Sequence, residues 1–262
     1  MNGVTWLGHS SVVVEVDGLR LAADPVLRRR VVHLTREKPV PRATLGRIDA
    51  LFVSHVHLDH LDVGSLRLFQ RKLPVVVPRG ARGILRRQGF RQVLEVDAGD
   101  TVLLRDVPVD ITHAEHGTVR RRLLAGSAAI GFVVRGSKAV YFAGDTDRFD
   151  GMRGLRPLDV ALLPVAGWGS RLPPGHLDAV RAAEALALLE PRIAVPIHWG
   201  TYAPLFGPRP QADPAEAFRA AAVALAPSVR VVVLRLGETL NLGPSSDVDD
   251  ARPEADCLAR KP

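Results

Sequence analysis

The chain has 262 residues, 47% of them hydrophobic, which is enough apolar material for one large core or two small lobes sharing an interface. It holds no run of about 18 apolar residues, so no transmembrane helix is expected. Its net charge of +7 comes almost wholly from arginine, 31 against 4 lysines. These arginines are spread along the whole chain, which argues against a nucleic-acid-binding stripe. Two clusters stand out: Arg28-Arg29-Arg30, which reads as a solvated loop, and Arg120-Arg121-Arg122. The single cysteine, Cys257, lies in a polar tail and cannot staple the fold, and Met1-Asn2-Gly3-Val4-Thr5-Trp6 lacks the profile of a signal peptide. A cytoplasmic location is therefore expected.

In chain order, residues 4–7 and 11–16 read as strands, Asp17-Gly18 as a turn, and 19–23 as a strand stopped by Asp24-Pro25. The basic stretch 26–48, with His33, Pro39 and Pro41, predicts a long surface loop. Residues 51–54 read as a short buried strand, and 61–70 have helical spacing. Strand 74–78 and helix 81–88 follow, then short strands over 93–96, 101–104 and 107–112. The second half repeats this grammar. A hairpin over 130–134 and 139–143 surrounds Gly136-Ser137, followed by strand 160–164, amphipathic helix 177–189 and strand 193–197. Asp213-Pro214 places a cap and a first-turn proline before helix 215–225, and strands 229–234 and 239–242 close the pattern. The polar residues 243–262 predict a disordered tail, leaving 1–242 as one domain. Two successive sets of hairpins and strand–helix units predict an α/β four-layer αββα sandwich, with two mixed sheets face to face and helices outside.

The chemistry concentrates in Ser54-His55-Val56-His57-Leu58-Asp59-His60, directly after a predicted strand. Nitrogen and oxygen ligands at this density suit zinc or another borderline divalent metal rather than calcium or magnesium. On an extended backbone His55 and His57 point to the same side, while Asp59 and His60 can face a second point. Further ligands are expected at strand ends. His116, Asp145 and His198 qualify, with Gly144 allowing a tight turn before Asp145.

Together these segments resemble the metallo-β-lactamase-fold hydrolases. SHVHLDH looks like that superfamily's H-x-H-x-D-H motif, Gly144-Asp145-Thr146 like its bridging-aspartate motif, and PIHWGT like its final histidine. Thr5-Trp6-Leu7-Gly8-His9-Ser10-Ser11 with Asp24-Pro25 is similar to the branch of ascorbate-6-phosphate lactonase-like and N-acyl-phosphatidylethanolamine phospholipase D-like proteins. The resemblance implies two divalent ions, zinc first, with manganese or iron as alternatives. His55, His57 and His116 would hold one, and Asp59, His60 and His198 the other, with Asp145 bridging. Thr112-His113-Ala114-Glu115-His116 offers two histidines, and the family pattern favours His116.

The implied activity is hydrolysis of a small ester, phosphodiester or lactone by a hydroxide shared between the metals. Asp59 and Asp145 could orient that hydroxide, and His176 could contact the substrate or act as an acid. His9 could orient a ligand or line the site, Arg120, Arg121 or Arg122 could bind an anionic group, and Asp24 could accept a hydrogen bond from a metal-bound imidazole. The expected partner is a small anionic substrate, not a membrane or a nucleic acid; a homo-oligomer stays open. A nuclease would resemble longer chains with a substrate clamp, and a non-catalytic binding member would require lost ligands.

Overall fold

The computed structural model of the protein describes residues 2–40, 44–116, 128–167, 172–204 and 213–243. Its first half runs β1 (Gly3–Gly8), β2 (Ser11–Val16), β3 (Leu19–Ala23), β4 (Arg30–Val31), β5 (Leu34–Arg36), β6 (Ala50–Phe52), α1 (Val63–Leu66), β7 (Pro74–Pro78), α2 (Arg82–Arg87) and β8 (Gln92–Val96). The second half runs β9 (Thr101–Leu104), β10 (Val107–His113), β11 (Ile130–Arg135), β12 (Ala139–Phe142), β13 (Val160–Pro164), α3 (Ala179–Leu189), β14 (Ile193–Ile197), β15 (Tyr202–Pro204), α4 (Pro214–Leu225), β16 (Arg230–Val231) and β17 (Thr239–Asn241). They form two seven-stranded sheets, in the orders β17-β1-β2-β3-β6-β7-β8 and β16-β14-β13-β12-β11-β10-β9. Both are mixed as expected: each has a run of antiparallel strands that gives way to parallel ones, at β3–β6 and at β12–β13.

Side chains alternate across a strand, so each strand serves two cores. Val12, Val14 and Val16 of β2 enter the central core with Phe132, Val134, Phe142 and Leu162 of the other sheet. Val13 points the other way, to Leu51, Val75 and Leu85 of α2. In the second sheet Tyr141 and Leu163 turn outward onto Ala182 and Leu186 of α3 and Phe218 of α4. The result is helix, sheet, sheet, helix. Burial on both faces also explains the unbroken apolar run of β13, in which all five residues are buried.

The stretch 26–48 departs from its reading as a surface loop. Strands β4 and β5 pair with each other, and β5 pairs with β15, making a third, three-stranded sheet. Val26, Val31, Leu34 and Tyr202 bury a small core beneath it. Arg36 is buried there and donates to the Leu7 and Val26 carbonyls at 2.9 and 3.0 Å. Arg28 is likewise not merely solvated, because its guanidinium pairs with Asp62, the residue that caps α1 by accepting from Ser65 N at 2.9 Å. Helix 61–70 contracts to the four residues of α1, strand 229–234 contracts to β16, and His33 is exposed as expected. The tail 244–262 lies outside the described residues.

Only Val32 and His33 connect the paired Val31 and Leu34. Val32 is 66% exposed at φ 52, a left-handed conformation that crowds a β-branched side chain. Val32→Gly is expected to raise stability by about 0.5–1 kcal/mol, the relief of strain outweighing the added chain entropy. The denaturant midpoint measures this, and an unchanged or lower midpoint would show that the turn is unstrained.

Candidate metal centre

Strands β1, β3 and β6 are parallel to one another within the first sheet, as are β12 and β14 in the second, and their ends meet on one rim. The candidate residues follow directly: His9 after β1, Asp24 after β3, residues 55–60 after β6, Asp145 after β12 and His198 after β14. His9, Asp24 and His198 have φ values of 55, 41 and 63, a costly conformation for residues other than glycine that concentrates at functional sites. Cross-sheet bonds hold these bends. His198 N and Trp6 Nε1 both donate to the His9 carbonyl at 2.9 Å, and His9 N donates to Thr201 Oγ1 at 2.6 Å. Trp6 stacks on Trp199 with 5.1 Å between ring centres. Gly144, at φ +64, is required by contact as well, since a Cβ there would lie 2.8 Å from that of Ser54.

Two clusters of ligand atoms result. His57 Nδ1 lies 2.9 Å from His55 Nε2 and 3.3 Å from His116 Nε2. The other ring nitrogens of His55 and His116 are engaged by Ser54 Oγ at 2.9 Å and by the Gly175 carbonyl at 3.0 Å. In the second cluster His60 Nδ1 donates to Asp24 Oδ2 at 2.6 Å, and His198 Nδ1 donates to the Ala166 carbonyl at 2.9 Å. Both then present Nε2 toward Asp59 Oδ2, at 3.7 Å each. Asp145 lies between the clusters: Oδ2 is 3.2 Å from His60 Nε2 and 3.9 Å from His55 Nε2, and Oδ1 is 3.4 Å from His198 Nε2.

The structure brings together all seven expected ligands and separates the two histidines the sequence left in competition. His116 joins the first cluster, whereas His113 is exposed and pairs with Glu115. His176 stands at the edge, its Nε2 3.6 Å from Asp145 Oδ2 and its ring 4.7 Å from that of His116. His9 is 1% exposed, with Nε2 3.2 Å from Asp59 Oδ2. It is thus buried against Asp59, a position that fits the orienting role. Asp24 is fully buried and accepts from the imidazole of His60. Arg120, Arg121 and Arg122 lie outside the described residues. The sequence reading missed Ser54, which links Asp24 to His55, and the stitch made by Trp6, Trp199 and Thr201. Trp199 and Thr201 belong to PIHWGT, so the signal was present without its geometry.

Burial sets the protonation of the site. It lowers His9 to about 3, helped by His198, and His57 to about 4, helped by His116; His55 and His116 are lowered too. Burial also opposes charge on His60 and His198, but Asp145 and its neighbouring carboxylates outweigh it and raise both. For Asp59 and Asp145 burial pushes upward, yet His60 and His198 hold both well below the usual carboxylate range. The carboxylates thus favour positive charge at His60, in a place where a metal cation would serve the same electrostatic purpose.

The donor set fits a divalent metal. His60 Nε2 and Asp145 Oδ1 are buried without a hydrogen-bond partner among the described residues; His60 Nε2 lies near Asp145 Oδ2 but out of hydrogen-bond alignment. Imidazole nitrogens and carboxylate oxygens, two of them backed by carbonyls and one by a carboxylate, are what a borderline cation selects. Loading zinc at pH 7 should release protons, because the ion displaces the one held on His60. Affinity should accordingly fall as pH is lowered. Calorimetric titration in two buffers of different ionisation enthalpy measures this release, and identical heats in both would refute it.

This fold with this rim of histidines and aspartates defines a class, the β-lactamase superfamily. The chain matches the Beta-lactamase superfamily domain over residues 20–199 and belongs to that family. It is 32% identical over 249 residues to a UPF0173 metal-dependent hydrolase of Caldivirga maquilingensis, covering 92% of this chain and 99% of the relative. It is also 32% identical to an uncharacterized protein of Mycobacterium tuberculosis, over 84% of this chain and 63% of that longer protein. Among solved structures it resembles Igni18, a metallo hydrolase of the archaeon Ignicoccus hospitalis, with a TM-score of 0.70 and 26% identity over 92% of this chain and 98% of that one. No helix among the described residues is long and apolar enough to cross a membrane.

Proposed function

We propose that the protein is a binuclear metal-dependent hydrolase of a small anionic ester, either a phosphodiester or a lactone. The placement of Asp145 between two clusters of ligand atoms carries this reading. His55, His57 and His116 would hold one ion, Asp59, His60 and His198 the other, and Asp145 both; zinc suits these donors best, and manganese or iron would also fit. Such ions polarise a substrate oxygen and make water a nucleophile near neutral pH. Two divalent cations against the charges of Asp59 and Asp145 leave a positive surplus, which favours an anionic substrate. His176, at the edge of the site with its Nδ1 donating to the Pro173 carbonyl at 3.1 Å, would, as an imidazolium, hand a proton to the leaving oxygen from Nε2. The names of the Caldivirga and Ignicoccus relatives support hydrolysis.

Elemental analysis after gel filtration should find about two equivalents of zinc, manganese or iron per chain, the number two-metal hydrolysis requires. The loaded protein is then assayed on bis-p-nitrophenyl phosphate and on a panel of lactones. Turnover of one class identifies the substrate type. A fully loaded protein that hydrolyses neither would overturn the proposal.

A further inference from the structure

The geometry points to a second ligand site at the opposite end of the sandwich, for a phosphate group carried on a small, partly apolar molecule. A cavity of 390 Å³ opens there, with Lys138, Arg192 and Arg230 among its lining residues. Each of these cations stands at the start of a strand, before β12, before β14 and at the head of β16. The far ends of β12 and β14 carry Asp145 and His198. A five-residue strand spans about 16 Å, so this cavity is separate from the metal centre.

Lys138 is the telling residue. It is 7% exposed, and its ammonium meets no carboxylate among the described residues. Lysine is almost never buried to that degree unless paired. Its backbone is held on both sides: Ser137 N donates to Asp17 Oδ2 at 2.7 Å and Ala139 N donates to Asp159 Oδ2 at 2.8 Å. Asp159 is the one carboxylate lining the cavity among the described residues, and it is already engaged by that amide and by Arg192 Nη1 at 3.6 Å. Arg230 is exposed and pairs with no carboxylate among the described residues.

Three cations against one carboxylate leave two positive charges, which match a phosphate monoester dianion, and the arginines supply forked donors for its oxygens. Ile193, Leu240 and Leu242 give the cavity an apolar wall for the rest of the ligand. Its volume falls within the roughly 300–1,000 Å³ typical of small-molecule sites.

The test is calorimetric titration of the metal-loaded protein with phenylphosphonate, which cannot be hydrolysed, and with inorganic phosphate. Lys138→Met should weaken phenylphosphonate binding at least tenfold, and Arg230→Gln, a surface change that leaves the fold alone, several-fold. Metal content and hydrolysis should stay at wild-type levels in both. Unchanged affinity in Arg230→Gln and in a folded Lys138→Met would place the anion elsewhere, at the metals first of all, and overturn the proposal. Equal affinity for inorganic phosphate would overturn the part that assigns an organic ligand.

Discussion

Asp145→Ala should abolish hydrolysis and strip the protein of metal at both positions together. The carboxylate is 3% exposed, and its two oxygens reach His60, His198, His55 and His176 within 3.9 Å. His116, by contrast, groups with His55 and His57 and with none of Asp59, His60 and His198. His116→Ala should therefore cost one equivalent and leave the other, whereas Asp145→Ala weakens both. Losing one fixed electrostatic group from a water-poor site typically lowers turnover on the order of 10²–10³-fold, and loss of the ions themselves goes further. Metal analysis and turnover of bis-p-nitrophenyl phosphate are read side by side. Two retained equivalents with an intact rate would remove Asp145 from the centre.

Asp24 should prove nearly as sensitive, although it touches neither cluster's open side. It is fully buried and accepts three hydrogen bonds, from Ser54 N at 2.7 Å, Ser54 Oγ at 2.6 Å and His60 Nδ1 at 2.6 Å. Asp24→Ala leaves three buried donors without an acceptor, a loss of about 3–5 kcal/mol. For a chain of this size that lowers the melting temperature by roughly 10 °C.

Asp24→Asn keeps the shape and is the sharper experiment. Its new amide hydrogens face Ser54 Oγ and His60 Nδ1, and His60 relieves the clash by giving up its Nδ1 proton and keeping one on Nε2, the nitrogen that faces Asp145. Metal affinity should then drop about 10–100-fold, as when the partner of a ligating histidine is removed. Competition with a chelating dye measures this. Wild-type affinity in Asp24→Asn would mean that His60 does not depend on Asp24 for its orientation.

Much of the centre is legible in the sequence, because its chemistry is local. Six consecutive residues hold His55, His57, Asp59 and His60, and strand periodicity alone places His116, Asp145 and His198 near strand ends. The layers were readable for the same reason, since each strand's pattern records burial on one face or two. What escaped depends on contacts between distant segments. The small core of Val26, Val31 and Leu34 is completed by Tyr202, so within 26–48 the few apolar residues look like a loop. The apolar spacing of 61–70 predicts a longer helix, yet Leu68 is 61% exposed and belongs to no buried face. Lys138 follows the Gly136-Ser137 turn, a place that gives no hint of burial, and the neighbouring strand starts and β17 line the cavity with it.

The bonds from His198 N to the His9 carbonyl and from Ile130 N to the Ser54 carbonyl have a consequence for how the molecule assembles. Neither sheet owns a complete set of the proposed ligands, so a growing chain could complete the first cluster only after β10 has docked and the second only after β14. Contacts between residues so far apart in sequence form slowly and late. Interactions made only after the transition state chiefly slow unfolding. Bound metal would then act as a latch rather than a nucleus, extending the lifetime of the finished protein without hastening its formation.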